Sequence, residues 1–189
     1  MQALLRLSRL IDSLIVRIGR IIEIVVILLV LLGVYNVLTR YLSQLFRFNL
    51  SSNATQDAGA YLFSLIFFLG FSYILLRNEN VRVDFLYAHW DERRRAVVNF
   101  FGHLLFLIPF CVLGLYVTWP SVRRSWQQGE TFGQTGSLPI YPLRTMILVA
   151  FGLLLLQAIS ECIKHLAVMT GHSTPEARAA ESYHPEPVE

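Results

Sequence analysis

"AGAYLFSLIFFLGFSYILL", Ala58–Leu76, contains no formally charged residue. At 1.5 Å per residue a helix of this length is about 28 Å long, close to the hydrocarbon core of a bilayer at about 30 Å. Nothing in it breaks a helix except the tolerated Gly59 and Gly70. The stretch reads as a membrane-spanning helix, and the rest of the chain is organised around it. Directly after it comes "RNENVRVDFL", in which Arg77, Glu79, Arg82 and Asp84 crowd a short connection before the chain turns apolar again.

Three further stretches have the same character: Ile24–Leu42, Ala96–Trp119 and Thr145–Ile163. Only 15% of the 189 residues are charged and 54% are hydrophobic, against about 25% charged in an average soluble domain. The expected fold is an all-α integral membrane protein with four transmembrane helices. Amphipathic helices lying in the membrane plane are expected at the N-terminus and in the middle cytoplasmic loop. The chain divides into an interfacial helix at 1–20, a four-helix membrane domain at 21–170, and a polar, proline-bearing tail at 171–189 expected to be disordered.

The N-terminal helix follows from periodicity. Leu4, Leu7, Ile11, Leu14 and Ile18 recur on one face, while Arg6, Arg9, Ser13, Arg17 and Arg20 recur on the opposite face. A helix so divided lies with its apolar side in the acyl chains and its arginines at the headgroups. Arg6, Arg9, Arg17 and Arg20 are therefore expected to be interfacial anchors. In the middle loop Phe85, Leu86, His89 and Trp90 return to helical spacing behind Asp84, which can cap that helix, and Trp90 is the aromatic anchor. Near the last span, "GETFGQTGSLPIYPLR" is loosened by glycines and closed by Pro139 and Pro142, with Pro142 suited to a first helical turn. Pro109 removes one backbone bond from span three and is expected to bend it.

Fifteen of the 16 basic residues are Arg. Arg6, Arg9, Arg17, Arg20, Arg77, Arg82, Arg93, Arg94, Arg95, Lys164 and Arg178 fall on one side of a four-span topology; Arg40, Arg47, Arg123, Arg124 and Arg144 fall on the other. Eleven against five places both termini and the middle loop in the cytoplasm by the positive-inside rule. Arginines flanking apolar runs speak for lipid headgroups, not nucleic acid. Cys111 and Cys162 stand in apolar contexts without a metal-ligand spacing and read as small core side chains.

Ionisable residues within membrane segments are the places to look for function. Glu23, Arg40 and Asp57 lie near span ends, where interfacial positioning or a pairing with a neighbour explains them. Gln157 and Glu161, one turn apart in span four, are expected to face protein. His103 and His165 raise the alternative of a haem- or quinone-associated anchor subunit; a free-standing four-span channel or exporter is a further alternative. No phosphate loop, nucleophile elbow or zinc spacing is present, so neither catalysis nor a cofactor or metal is expected.

The cationic amphipathic start, "NENVRVDFLY" after span two, and "GSLPIYPLR" opening span four together resemble the small membrane subunit, the Q or DctQ-like component, of tripartite ATP-independent periplasmic (TRAP) transporters. The resemblance covers roughly Leu14–Met169. It implies a bacterial inner-membrane protein whose partners are a large multi-span permease subunit and a periplasmic substrate-binding protein. It implies that the small subunit braces the scaffold of the large, elevator-type subunit during sodium-driven uptake of an organic anion, a carboxylate or sulfonate. Under it, Arg82 and Asp84 form a structural motif of the cytoplasmic turn. Gln157, Glu161 and Asp57 become candidates for contact with the large subunit. Arg123, Arg124 and Gln128 become candidates for docking the binding protein.

Overall fold

The computed structural model describes residues 2–46, 53–78, 92–132 and 138–170. Among the described residues five α-helices follow in chain order: α1, Gln2–Phe46; α2, Asn53–Arg77; α3, Glu92–Gly102; α4, Ile108–Gln128; and α5, Tyr141–Met169. A single π-helical turn, His103–Leu107, joins α3 to α4 without a break. Four helical rods, with α3 and α4 counted as one, are long and apolar enough to cross a membrane. The chain is an all-α, multi-pass membrane protein. Arg82, Asp84, Trp90 and the expected middle-loop helix, together with the tail from Gly171, lie outside the described residues.

Each rod is longer than its apolar stretch, because a switch from Leu to Arg does not by itself end a helix. The clearest case is α1. The segment expected as a separate helix at 1–20 is continuous with the first span in one rod of 45 residues, about 67 Å long. Between Arg20 and Ile24 there is neither proline nor glycine to break it. The helix α2 ends where Asn78 turns left-handed at φ 59°, a conformation Asn tolerates better than most residues. The helix α4 runs through Pro120 and ends at Gly129, whose φ of 58° and ψ of 41° close it in a left-handed cap, the usual role of glycine at that position. Pro142 occupies the first turn of α5, as its missing N–H allows.

Pro109 leaves its mark as a π-turn. A proline in mid-helix removes one backbone bond and crowds the carbonyl four residues earlier. Here the rod widens over His103–Leu107 and Pro109 then sits in the first turn of α4. The strain is absorbed without ending the span.

The C-terminal half of α5 is the core. Gln157, Ala158, Ser160, Glu161, Cys162, Ile163, Lys164, His165, Ala167 and Val168 are all buried, and α1, α2 and α3 pack around α5. Outward-facing side chains are large and aliphatic or aromatic, among them Ile27, Leu31, Leu38, Phe106 and Tyr116. In water this arrangement would be inside out. In lipid, apolar surface gains little from burial, and small or polar side chains make the helix contacts.

Two glycines bring helices into close contact. A methyl group on Gly19 of α1 would strike the ring of Tyr73 on α2, and one on Gly114 of α4 would lie 2.5 Å from the ring of Phe151 on α5. Gly33, Gly70, Gly102 and Gly152 face open space, so they bring no helices together here.

Candidate functional site

The N-terminal half of α1 has three faces, not two. The stripe that packs inward is Ser8, Ile11, Ile15 and Gly19. Leu4, Leu7, Leu10 and Leu14 are exposed, as are Arg6, Arg9, Arg17 and Arg20. The packed stripe is rotated by roughly 60° from the apolar stripe expected from periodicity, at 100° per residue. That rotation carries Asp12 to the edge of the packed stripe, against α5.

There the structure assembles six polar side chains. Ser8 and Ser160 share a hydrogen bond at 2.7 Å between their hydroxyls. The Ser160 hydroxyl also lies 2.8 Å from Asp12 Oδ1 and 3.4 Å from the Ser8 carbonyl, both acceptors. Gln157 Nε2 donates to Asp12 Oδ1 at 3.1 Å and to Glu161 Oε1 at 2.9 Å. Lys164 Nζ closes the cluster on both carboxylates, 2.6 Å from Glu161 Oε1 and 3.1 Å from Asp12 Oδ2. Gln157, Glu161 and Lys164 are 0%, 5% and 6% exposed.

Charges this deeply placed persist only when paired and hydrogen-bonded. One ammonium between two carboxylates, with the Gln157 amide donating to both of them and the Ser160 hydroxyl against Asp12 Oδ1, meets that condition. The arrangement can hold the first helix against the last. Of the two residues expected to reach a large subunit, Gln157 bonds Asp12 on α1 of its own chain, while Glu161 bonds Gln157 and Lys164 on its own helix. Sequence reasoning missed Asp12, Ser8, Ser160 and the role of Lys164. The signal was there in part: Gln157, Ser160, Glu161 and Lys164 repeat at helical spacing along an apolar helix.

At the other end of the bundle a second network ties the α4–α5 connection. Arg144 Nη2 meets Glu130 Oε1 at 2.8 Å, and Ser125 Oγ donates to Glu130 Oε2 at 2.9 Å. A backbone bridge pairs Thr131 with Pro139. Asp57, the third residue expected at the large-subunit contact, accepts the backbone N–H of Leu138 at 3.0 Å and so fastens α2 to this connection. Arg123, Arg124 and Gln128 are exposed on the last turns of α4.

His103 and His165 do meet, with ring centroids 5.5 Å apart and ring planes tilted by 34°; His103 Nδ1 lies 2.6 Å from the Asn99 carbonyl. Among the described residues no group of three His, Cys, Asp or Glu side chains is placed to hold a metal ion. An open apolar groove of about 730 Å3 runs beside this pair, lined chiefly by Phe71, Leu75, Val98, Phe106, Phe110 and Leu154.

Membrane-length helices joined by small and polar contacts, with aliphatic flanks turned outward, define a multi-pass membrane protein whose ionisable groups hold helices together. The comparison with protein families makes this specific. Residues 29–168, which are 140 of the 189, match the family described as tripartite ATP-independent periplasmic transporters, DctQ component. The chain belongs to that family and is a TRAP transporter small permease component, part of a transporter and not of an enzyme family. Membership implies partnership with the large permease subunit and a binding protein. No curated protein and no solved structure matches the sequence. The family match begins within the first span, so Ser8 and Asp12 lie ahead of it.

Proposed function

We propose that this small permease subunit is a rigid brace for the large, elevator-type subunit of a TRAP transporter. In this reading the transporter takes up an organic anion, a carboxylate or sulfonate, driven by sodium and delivered by a periplasmic binding protein. The observation that carries the bracing role is the buried cluster. Asp12, Gln157, Ser160, Glu161 and Lys164 direct their hydrogen bonds and ion pairs within the chain, which locks α1 to α5. An elevator needs a part that stays still, and a long rod clamped to the last helix by buried ion pairs and hydrogen bonds supplies one.

Gln157 and Glu161 then serve the large subunit indirectly, by holding the helices whose outer faces meet it. Asp57 does the same at the other end. Arg82 and Asp84 retain the proposed role of fixing the cytoplasmic turn, and Trp90 that of an anchor. Arg124 and Gln128 are the proposed approach for the binding protein; Arg123, expected with them, falls on a different face of α4 at 100° per residue.

The proposed setting is the bacterial inner membrane with both termini cytoplasmic. Lys164 is buried in ion pairs and so does not act as an orienting surface charge. Removing it from the eleven leaves ten against five, and the orientation stands.

Reconstitution tests the reading. The chain alone in liposomes should move no solute; with the large subunit and binding protein present, sodium-dependent uptake should appear. Flux through the isolated chain would overturn the proposal. A Soret band in the purified chain would instead favour the haem-anchor alternative around His103 and His165.

A further inference from the structure

The last turns of α4 present two different faces. At 100° per residue, Trp119, Arg123 and Trp126 fall on one side, while Arg124 and Gln128 fall well round the helix from them. Between the first side and α5 lies a groove of about 490 Å3, lined by Trp119, Val122, Arg123, Trp126 and Leu148 among others. Trp119 is 62% exposed and Trp126 is 56% exposed. Tryptophans so placed at the end of a spanning helix belong to the headgroup level, where the ring is half in lipid and its N–H needs a partner.

The walls are held in position. The Trp126 indole N–H donates to Thr145 Oγ1 at 2.9 Å, and its ring packs on Tyr141 with centroids 4.5 Å apart. The neighbouring cation on α5, Arg144, is occupied by Glu130. Arg123 makes no ion pair among the described residues, and no carboxylate lines the groove. The groove therefore combines an apolar floor, two aromatic walls and one guanidinium at its rim.

We propose that this groove holds one acidic membrane phospholipid, with its phosphate on Arg123 and an acyl chain along Val122 and Leu148 between the two tryptophans. A guanidinium pairs bidentately with a phosphate. The apolar floor accepts a chain that water would not leave there. Arg124 and Gln128, on the other face, remain available to a protein partner, so the exposed arginine pair divides into a lipid contact and a docking contact. The inference rests on the chain spanning a membrane and not on the identity of the transported solute.

The test uses the full chain with Trp90→Phe, which leaves Trp119 and Trp126 as its tryptophans. It is placed in phosphatidylcholine vesicles doped with either bromine-labelled phosphatidylglycerol or bromine-labelled phosphatidylcholine at equal mole fraction. The acidic lipid should be enriched about fivefold at the groove, the ratio one basic side chain gives at an anionic surface, and should quench correspondingly more. Arg123→Gln should bring its quenching down to the phosphatidylcholine level; Arg123→Lys should keep a preference, and Arg124→Gln should leave it intact. Equal quenching by the two lipids in the parent chain would overturn the proposal. So would equal losses from Arg123→Gln and Arg124→Gln, which would mean a diffuse field and not a site. Relief of quenching on adding the binding protein, undone by Arg123→Gln, would assign the groove to protein docking and overturn it as well.

Discussion

Asp12 Oδ2 lies 3.1 Å from Lys164 Nζ, and that contact joins the first helix of the chain to the last. The ammonium also holds Glu161 at 2.6 Å, so its removal leaves two carboxylates facing one another in the buried core. Lys164→Met should destabilise the chain by about 3–5 kcal/mol, the cost of stranding a buried charge. Asp12→Asn should cost clearly less, because Asp12 is the most exposed member of the ion-paired trio and Lys164 keeps Glu161. Replacing all three by apolar or amide residues should recover much of the Lys164→Met loss. Thermal unfolding in detergent orders these variants, and an Asp12→Asn variant as unstable as Lys164→Met would contradict the charge arrangement.

Close helix contact at two glycines gives the second prediction. Gly19→Ala pushes a methyl into Tyr73, and Gly114→Ala pushes one into Phe151; each should cost about 1–3 kcal/mol by overpacking. Gly33 meets nothing within reach, so Gly33→Ala should be neutral or stabilise slightly, since alanine is the better helix former by about 1 kcal/mol. Shortening the obstructing ring, Phe151→Leu, should relieve part of the Gly114→Ala penalty in the double variant. Unfolding midpoints of the four variants decide the matter; equal effects at Gly33 and Gly114 would show that helix propensity and not packing is being measured.

What the sequence made legible, and what it did not, follows from the ranges of the forces involved. Spans two and four are visible as unbroken apolar runs because the bilayer imposes a minimum length that a local window can detect. The unbroken helix from Gln2 to Phe46 is harder to see, since a change from charged to apolar residues resembles a boundary while the backbone has no reason to stop. The rotation of the packed stripe to Ser8, Ile11, Ile15 and Gly19 is hidden for a different reason. In lipid the most apolar face of a helix turns outward as readily as inward, so periodicity marks amphipathicity but not the direction of the partner. Gln157 and Glu161 stand out because polar residues are costly there, yet their partner Asp12 sits among arginines and looks like an ordinary surface acid. Only the tertiary packing of α1 on α5 brings the two halves of the cluster together.

At the other end of the bundle the expected effects are smaller. The Glu130–Arg144 pair is about one-third exposed on each side, so Arg144→Gln should cost no more than about 1 kcal/mol. Asp57→Ala should matter more to local order than to global stability, because it leaves the Leu138 N–H without its acceptor and releases α2 from the α4–α5 connection. Limited proteolysis should cut between Glu130 and Tyr141 several-fold faster in Asp57→Ala than in the parent, with the unfolding midpoint little changed. An unchanged cleavage rate would mean that the backbone bridge at Thr131 and Pro139 holds the connection unaided.

Topology can be tested on the native background because both cysteines are buried, Cys111 fully and Cys162 nearly so. A membrane-impermeant maleimide should therefore label the parent chain poorly in intact cells and in inverted vesicles alike. Single cysteines at two exposed positions then report the two sides: Ser13, on the outer face of the N-terminal half of α1, and Gln128, at the end of α4. With both termini cytoplasmic, Gln128→Cys should react from the outside of cells whose outer membrane has been made permeable, and Ser13→Cys only in inverted vesicles or after lysis. The reverse pattern would place the arginine-rich end outside, against the positive-inside count, and would remove Arg124 and Gln128 from any role in meeting a periplasmic protein.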